Sequence, residues 1–73
     1  MFFDESIKID TEKLPRILRN DYELLRSYYH ENKETEFILY VDSVEATIKA
    51  CFIDGSITKQ QQVDLFHVIG IYT

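Results

Sequence analysis

The chain has a single cysteine, Cys51, so no disulfide can form within it. No four-ligand cysteine/histidine pattern of structural zinc occurs. The only histidines, His30 and His67, have no Cys or His at ligand spacing. There is no tryptophan, one proline (Pro15), and two glycines (Gly55 and Gly70). These three backbone-special residues punctuate the chain, and no linker long enough to divide domains is present. No run approaches the ~18 apolar residues of a membrane span. Met1-Phe2-Phe3-Asp4-Glu5 lacks the basic start and apolar stretch of a signal peptide. A lone thiol suits a reducing compartment, and the sequence reads as cytoplasmic. Positive charge is also scarce: 8 basic against 13 acidic residues leave a net charge of −5. That balance opposes generic binding to nucleic acid or to an anionic membrane. The acidic residues form no run, so a DNA-mimic reading finds no support.

What is present is enough for a core. Of the 73 residues, 45% are hydrophobic and 14% aromatic, too apolar for a disordered tail. A domain this short is marginally stable and normally needs a staple, a partner or good helix packing. With no staple available, packing or association remains. Richness in Ile, Glu and Tyr with little Gly, Pro or Ala suits an AT-rich bacterial or phage genome.

The periodicity predicts an all-α fold, a small three-helix bundle with a short N-terminal arm over residues 1–12. Ile7-Lys8-Ile9-Asp10 alternates like a strand but has no second strand to pair with. An extended arm or a short helical turn is expected, pinned by Phe2 and Phe3. Helix 1 is expected over 13–32, with Leu14, Ile17, Leu18, Leu25, Tyr28 and Tyr29 inward and Pro15 in its first turn. Asp21 falls inside that apolar arc. Either it is a buried polar group with a partner, or the helix breaks near Asn20, where Asn20-Asp21-Tyr22-Glu23 resembles a capping box. In the second case the bundle has four short helices.

Helix 2, over 35–54, carries the strongest signal, with Thr35 as a plausible N-cap. Phe37, Tyr40, Val41, Val44, Ile48, Cys51 and Phe52 form one apolar stripe. Leu39, Ala46, Ala50 and Ile53 form a second on another side. Such a helix is either central in the domain or keeps one face for a partner. Gly55 closes it in a left-handed cap. Thr58 and Gln61 form a capping box for helix 3, over 59–69, with Val63, Leu65, Phe66 and Ile69 inward. Gly70 then closes helix 3, with Ile71 beside Phe66. Residues 13–33 carry five basic and three acidic side chains, and 34–54 one basic and five acidic. Ion pairing between the first two helices is therefore expected to favour the fold slightly.

Residue type and spacing bear on several chemistries. Asp54-Gly55-Ser56-Ile57-Thr58 looks like the centre of a calcium loop. Setting Gly55 at loop position 6 places Ala50, Phe52 and Gln61 where oxygen ligands are required, leaving Asp54 alone. The segment reads instead as a glycine-capped helical hairpin, and no metal site or cofactor is expected. Cys51 lies among Val44, Ile48 and Phe52, a setting for a core thiol rather than a nucleophile. The carboxylate pairs Glu34/Glu36 and Asp42/Glu45 fit solvated helix faces, since acid–base catalysis needs two carboxylates in different environments within a cleft. No catalytic residue is assigned.

Lys13, Arg16, Arg19, Arg26 and Lys33 line one side of helix 1, but Glu23 and Glu31 interrupt them. Tyrosines 22, 28, 29, 40 and 72 are in surplus and suit interface positions. Tyr28 and Tyr40 are expected inside, and Tyr22 and Tyr29 at the edge of helix 1. By elimination the sequence reads as a non-enzymatic protein-interaction module, an adaptor, inhibitor or regulator docking a helical face on a larger protein. Candidate contacts are Leu39, Ala46, Ala50 and Ile53, with Tyr22, Arg26 and Tyr29 as a second patch. A self-associating homodimer is the alternative, and a nucleic-acid-associated protein comes third.

Overall fold

The computed structural model describes residues 1–71; Tyr72 lies outside the described residues. The fold is an all-α three-helix bundle: α1 (Arg16–His30), α2 (Glu34–Ile53) and α3 (Lys59–Val68), preceded by a 3₁₀ turn at Thr11–Lys13. There is no strand among the described residues. The helix α2 is central and packs against both α1 and α3.

Each helix closes in the same way. The residue after the C-cap is left-handed: Asn32 (φ 59°), Gly55 (φ 83°) and Gly70 (φ 84°). The next N–H then reaches back across the last turn: Lys33 to the Tyr28 carbonyl at 2.9 Å, Ser56 to Cys51 at 2.9 Å, and Ile71 to Phe66 at 2.8 Å. The starts differ. Thr58 caps α3 in the expected box, its hydroxyl accepting from the Gln61 N–H while Gln61 returns the bond to the Thr58 N–H. Thr35 does not cap α2. The left-handed turn at Asn32 brings the chain directly into a new helix, Lys33 is the N-cap without a side-chain bond, and Glu34 and Glu36 sit in the first turn. Pro15 flanks α1 as its N-cap.

Gly55 separates the backbone effect from the steric one. Nothing lies within 4 Å of a Cβ added there, whereas one at Gly70 meets the Phe2 ring at 3.0 Å. Gly55→Ala is expected to cost about 1–2 kcal/mol from left-handed strain alone. Urea denaturation of Gly55→Ala and Gly55→Asn measures it, and Asn is expected to recover part of the loss. Equal stability of all three chains would refute the strain account.

The core is one cluster. Leu18, Leu25, Val44, Ile48, Leu65 and Val68 are almost fully buried, joined by Phe3, Leu14, Tyr22, Phe37, Cys51, Ile57, Phe66 and Ile69. Val63, expected inward, is half-buried, and the buried polar Gln62 accepts from Lys59 Nζ at 3.2 Å. The N-terminal arm belongs to the core. Phe3 stacks on Tyr22 and Tyr29 at 5.5 and 5.6 Å, and the Asp4 N–H donates to the Val68 carbonyl at 2.8 Å. Phe2 remains half-exposed.

The arm covers one side of α1. Tyr22 packs under Phe3 and is buried rather than at the edge, while Ile17, expected inside, is 62% exposed. The buried line of α1 becomes Leu18, Tyr22 and Leu25, and Asp21 lies at its border. No bend occurs, and α1 is continuous through Asn20 and Asp21. Asp21 is instead a partnered polar group. It accepts from the Tyr40 hydroxyl at 2.6 Å and from the Thr47 hydroxyl at 2.8 Å. The expected ion pairing between α1 and α2 is not found among the described residues. The pairs run within an element or its flanking turn, or from the arm to α1. What links the two helices polarly is this three-residue buckle.

Candidate protein-docking face

Because the first apolar stripe of α2 meets both neighbouring helices, the second is left outside. Leu39 is 74% and Ile53 83% exposed, and Ala46 and Ala50 are exposed between them. At 1.5 Å per residue the stripe is about 21 Å long. Ile38, half-exposed, borders it together with Asp42 and Lys49.

The structure adds two exposed residues, Ile17, which was expected in the core, and Leu24, to which the sequence assigned no role. On α1, Ile17 and Leu24 stand four residues before and three after Asp21, hence on the same side of the helix as the buckle. On α2, Thr47 has Ser43 and Ala50 at the corresponding positions. The Asp21–Thr47 bond joins the two helices at this border, with Ile17 and Leu24 exposed on α1 and Ala50, Ala46 and Leu39 exposed on α2. Exposed apolar side chains thus occur on both helices that this polar bond joins. Where exposed apolar side chains gather on one side, proteins commonly cover them with a partner.

The buckle ties α1 to α2 beside this stripe. The Tyr40 hydroxyl has its pKa pushed up to about 12, first by its bond to Asp21, then by burial, then by the Asp21 charge. Its ring meets Tyr28 edge-on at 6.1 Å. Both tyrosines are half-buried, facing the core from its rim.

The second candidate patch is taken up by the arm. Tyr22 lies beneath Phe3, and Tyr29 packs between Phe3 and Phe37. Arg26 reaches Glu5 at 3.4 Å and Glu23 at 3.6 Å, and His30 binds the same Glu5 carboxylate. The His30 hydrogen bond is the largest influence holding the Glu5 carboxyl below its ordinary range. These residues seal the arm onto α1 and leave no continuous apolar surface. Beside them is an open cleft of about 220 Å³, lined by Ile7, Ile9, Tyr22 and Arg26 among others. That is below the ~300–1,000 Å³ usual for small-molecule sites.

The thiol of Cys51 faces the core, buried, and burial pushes its pKa up. At the hairpin, the Asp54 carboxylate accepts from the Ser56 N–H at 2.8 Å, making a turn that caps α2. No group of three or more potential metal ligands converges among the described residues, and none of their helices is long and apolar enough to cross a membrane. No protein-family model matches the chain, and neither a curated protein nor a solved structure is significantly similar to it.

Proposed function

We propose that the chain is a non-enzymatic, cytoplasmic protein-interaction module, an adaptor, inhibitor or regulator that docks the outer face of α2 on a larger protein. The observation that carries this reading is the exposure of Leu39 and Ile53, at 74% and 83%, on a helix whose other side is fully used by the core. Monomeric surfaces scatter single apolar residues, but a line of them on one rigid helix marks contact with another protein. Ile17 and Leu24 add exposed apolar side chains on α1, which the Asp21 buckle ties to α2 beside the stripe.

The test uses two baits, the native chain and Ala50→Arg, in nuclease-treated lysate of the native host. Circular dichroism first establishes that both are equally helical. A protein retained by the native chain is expected to be lost with Ala50→Arg, because a long charged side chain in the middle of the face blocks close approach. Equal retention by both baits would remove this face from the interaction. Retention of nothing would end the docking reading.

A further inference from the structure

The outer stripe of α2 is nearly symmetric about its own centre. Ala46 stands midway between Leu39 and Ile53, large side chains at the ends and small ones in the middle. A surface that reads alike in both directions is complementary to itself under a two-fold axis. Resting on the docking reading of this face, we infer that a second copy of the chain covers it when the larger partner is absent, the two α2 helices packing antiparallel about Ala46.

Size and charge select that arrangement. With the axis at Ala46, Leu39 of each copy lies beside Ile53 of the other, and the alanines let the helix axes approach. Asp42 and Lys49 lie on one flank of the stripe, about 20° apart around the helix. A two-fold axis perpendicular to the helices brings this flank onto the same flank of the second copy. In that register Asp42 of each copy stands beside Lys49 of the other, giving two ion pairs at the rim. A parallel pair would carry this flank to opposite sides of the interface, so that Asp42 and Lys49 of the two copies would not meet. Within one copy Lys49 holds Glu45 at 2.8 Å, a pair that the rim contact would share or replace.

The net charge of −5 opposes association of two copies. That repulsion between distant charges is screened beyond about 8–10 Å at ordinary salt, so added salt strengthens the pair until the rim contacts are screened too. Because the same residues serve both contacts, a larger partner competes with the second copy. Self-association then sets how much of the face is free.

Analytical ultracentrifugation of the full chain, from micromolar to millimolar, tests the inference with three variants. The native chain is expected to show a monomer–dimer equilibrium, and Ala50→Arg to abolish it. Asp42→Lys and Lys49→Asp are each expected to weaken the homodimer about tenfold, equivalent to about 1.4 kcal/mol. Mixing these two variants is expected to restore association, since each supplies the charges the other lacks; simple unfolding would not be rescued by mixing. A native chain that stays monomeric at millimolar concentration overturns the inference. So does a dimer indifferent to Ala50→Arg, or a mixture no tighter than its components. If the native chain is monomeric yet a lysate protein is still lost with Ala50→Arg, the second copy is excluded while the docking reading stands. If Ala50→Arg affects neither association, both fall.

Discussion

Ile48→Ala is expected to destabilise the fold by about 2–5 kcal/mol, while Ala50→Arg, two residues along the same helix, changes stability by less than about 0.5 kcal/mol. Ile48 is completely buried, whereas Ala50 faces solvent. Removing the Ile48 side chain beyond Cβ loses its transfer free energy and leaves a void between α2 and its neighbours. At roughly 0.05–0.15 kcal/mol per residue, a chain of 73 residues has about 4–11 kcal/mol in all, so Ile48→Ala removes a large part of it. Urea titration followed by helical dichroism reads both variants. Ile48→Ala is expected to move the midpoint far down or leave the chain unfolded in buffer. Unfolding by Ala50→Arg would mean that the outer stripe of α2 is core, and the docking face would be withdrawn.

Asp21→Ala is expected to cost about 2–3 kcal/mol, more than an ordinary surface carboxylate. The carboxylate accepts two hydroxyl bonds at the rim of the core, and its loss strands the Tyr40 hydroxyl, while the Thr47 hydroxyl keeps the Ser43 carbonyl at 3.0 Å. Bonds to a charged acceptor contribute about 1.5–3 kcal/mol, and unsatisfied buried groups cost about 1–3 kcal/mol. Partial exposure of the seam keeps the sum near the lower end. The same buckle makes stability pH-dependent on the alkaline side. Tyr40 has its pKa raised to about 12 in the folded chain, against an ordinary tyrosine value near 10 when unfolded. Between those values the unfolded chain loses this proton while the folded chain keeps it. The contribution is therefore whole below pH ~10 and is lost as pH rises toward ~12. Tyr40→Phe is expected to flatten that alkaline decline, although Tyr22, also raised chiefly by burial, retains a share. Asp21→Ala should lower the late phenolate transition seen by absorbance. An unchanged alkaline midpoint in Tyr40→Phe would refute this assignment.

Much of the helical frame could be read from the order of residues alone. Thr58 with Gln61, Gly55, and Gly70 followed by Ile71 carry signals whose physics is local: a side chain or a left-handed residue satisfies backbone groups within a few positions. The inner stripe of α2 was equally plain, because helical repetition over twenty residues leaves little ambiguity. The second stripe was visible as a pattern, and its exposure became known only once α1 and α3 were both seen on the other side.

Where sequence reading went astray, contacts distant along the chain had the deciding influence. Ile17 was expected inside and Tyr22 at the edge because the apolar arc of α1 was drawn without the arm. Phe3, far away in sequence, covers Tyr22, whereas nothing distant covers Ile17, which stays exposed. The capping-box pattern at Asn20 lost to the helix because Asp21 found hydroxyl partners on α2, nineteen and twenty-six positions away. Composition, caps and periodicity thus settle which segments are helical and where two of the three helices stop, since those depend on neighbours a turn apart. Which side of each helix meets water depends on what packs against it from elsewhere in the chain, and only the assembled bundle supplies that information.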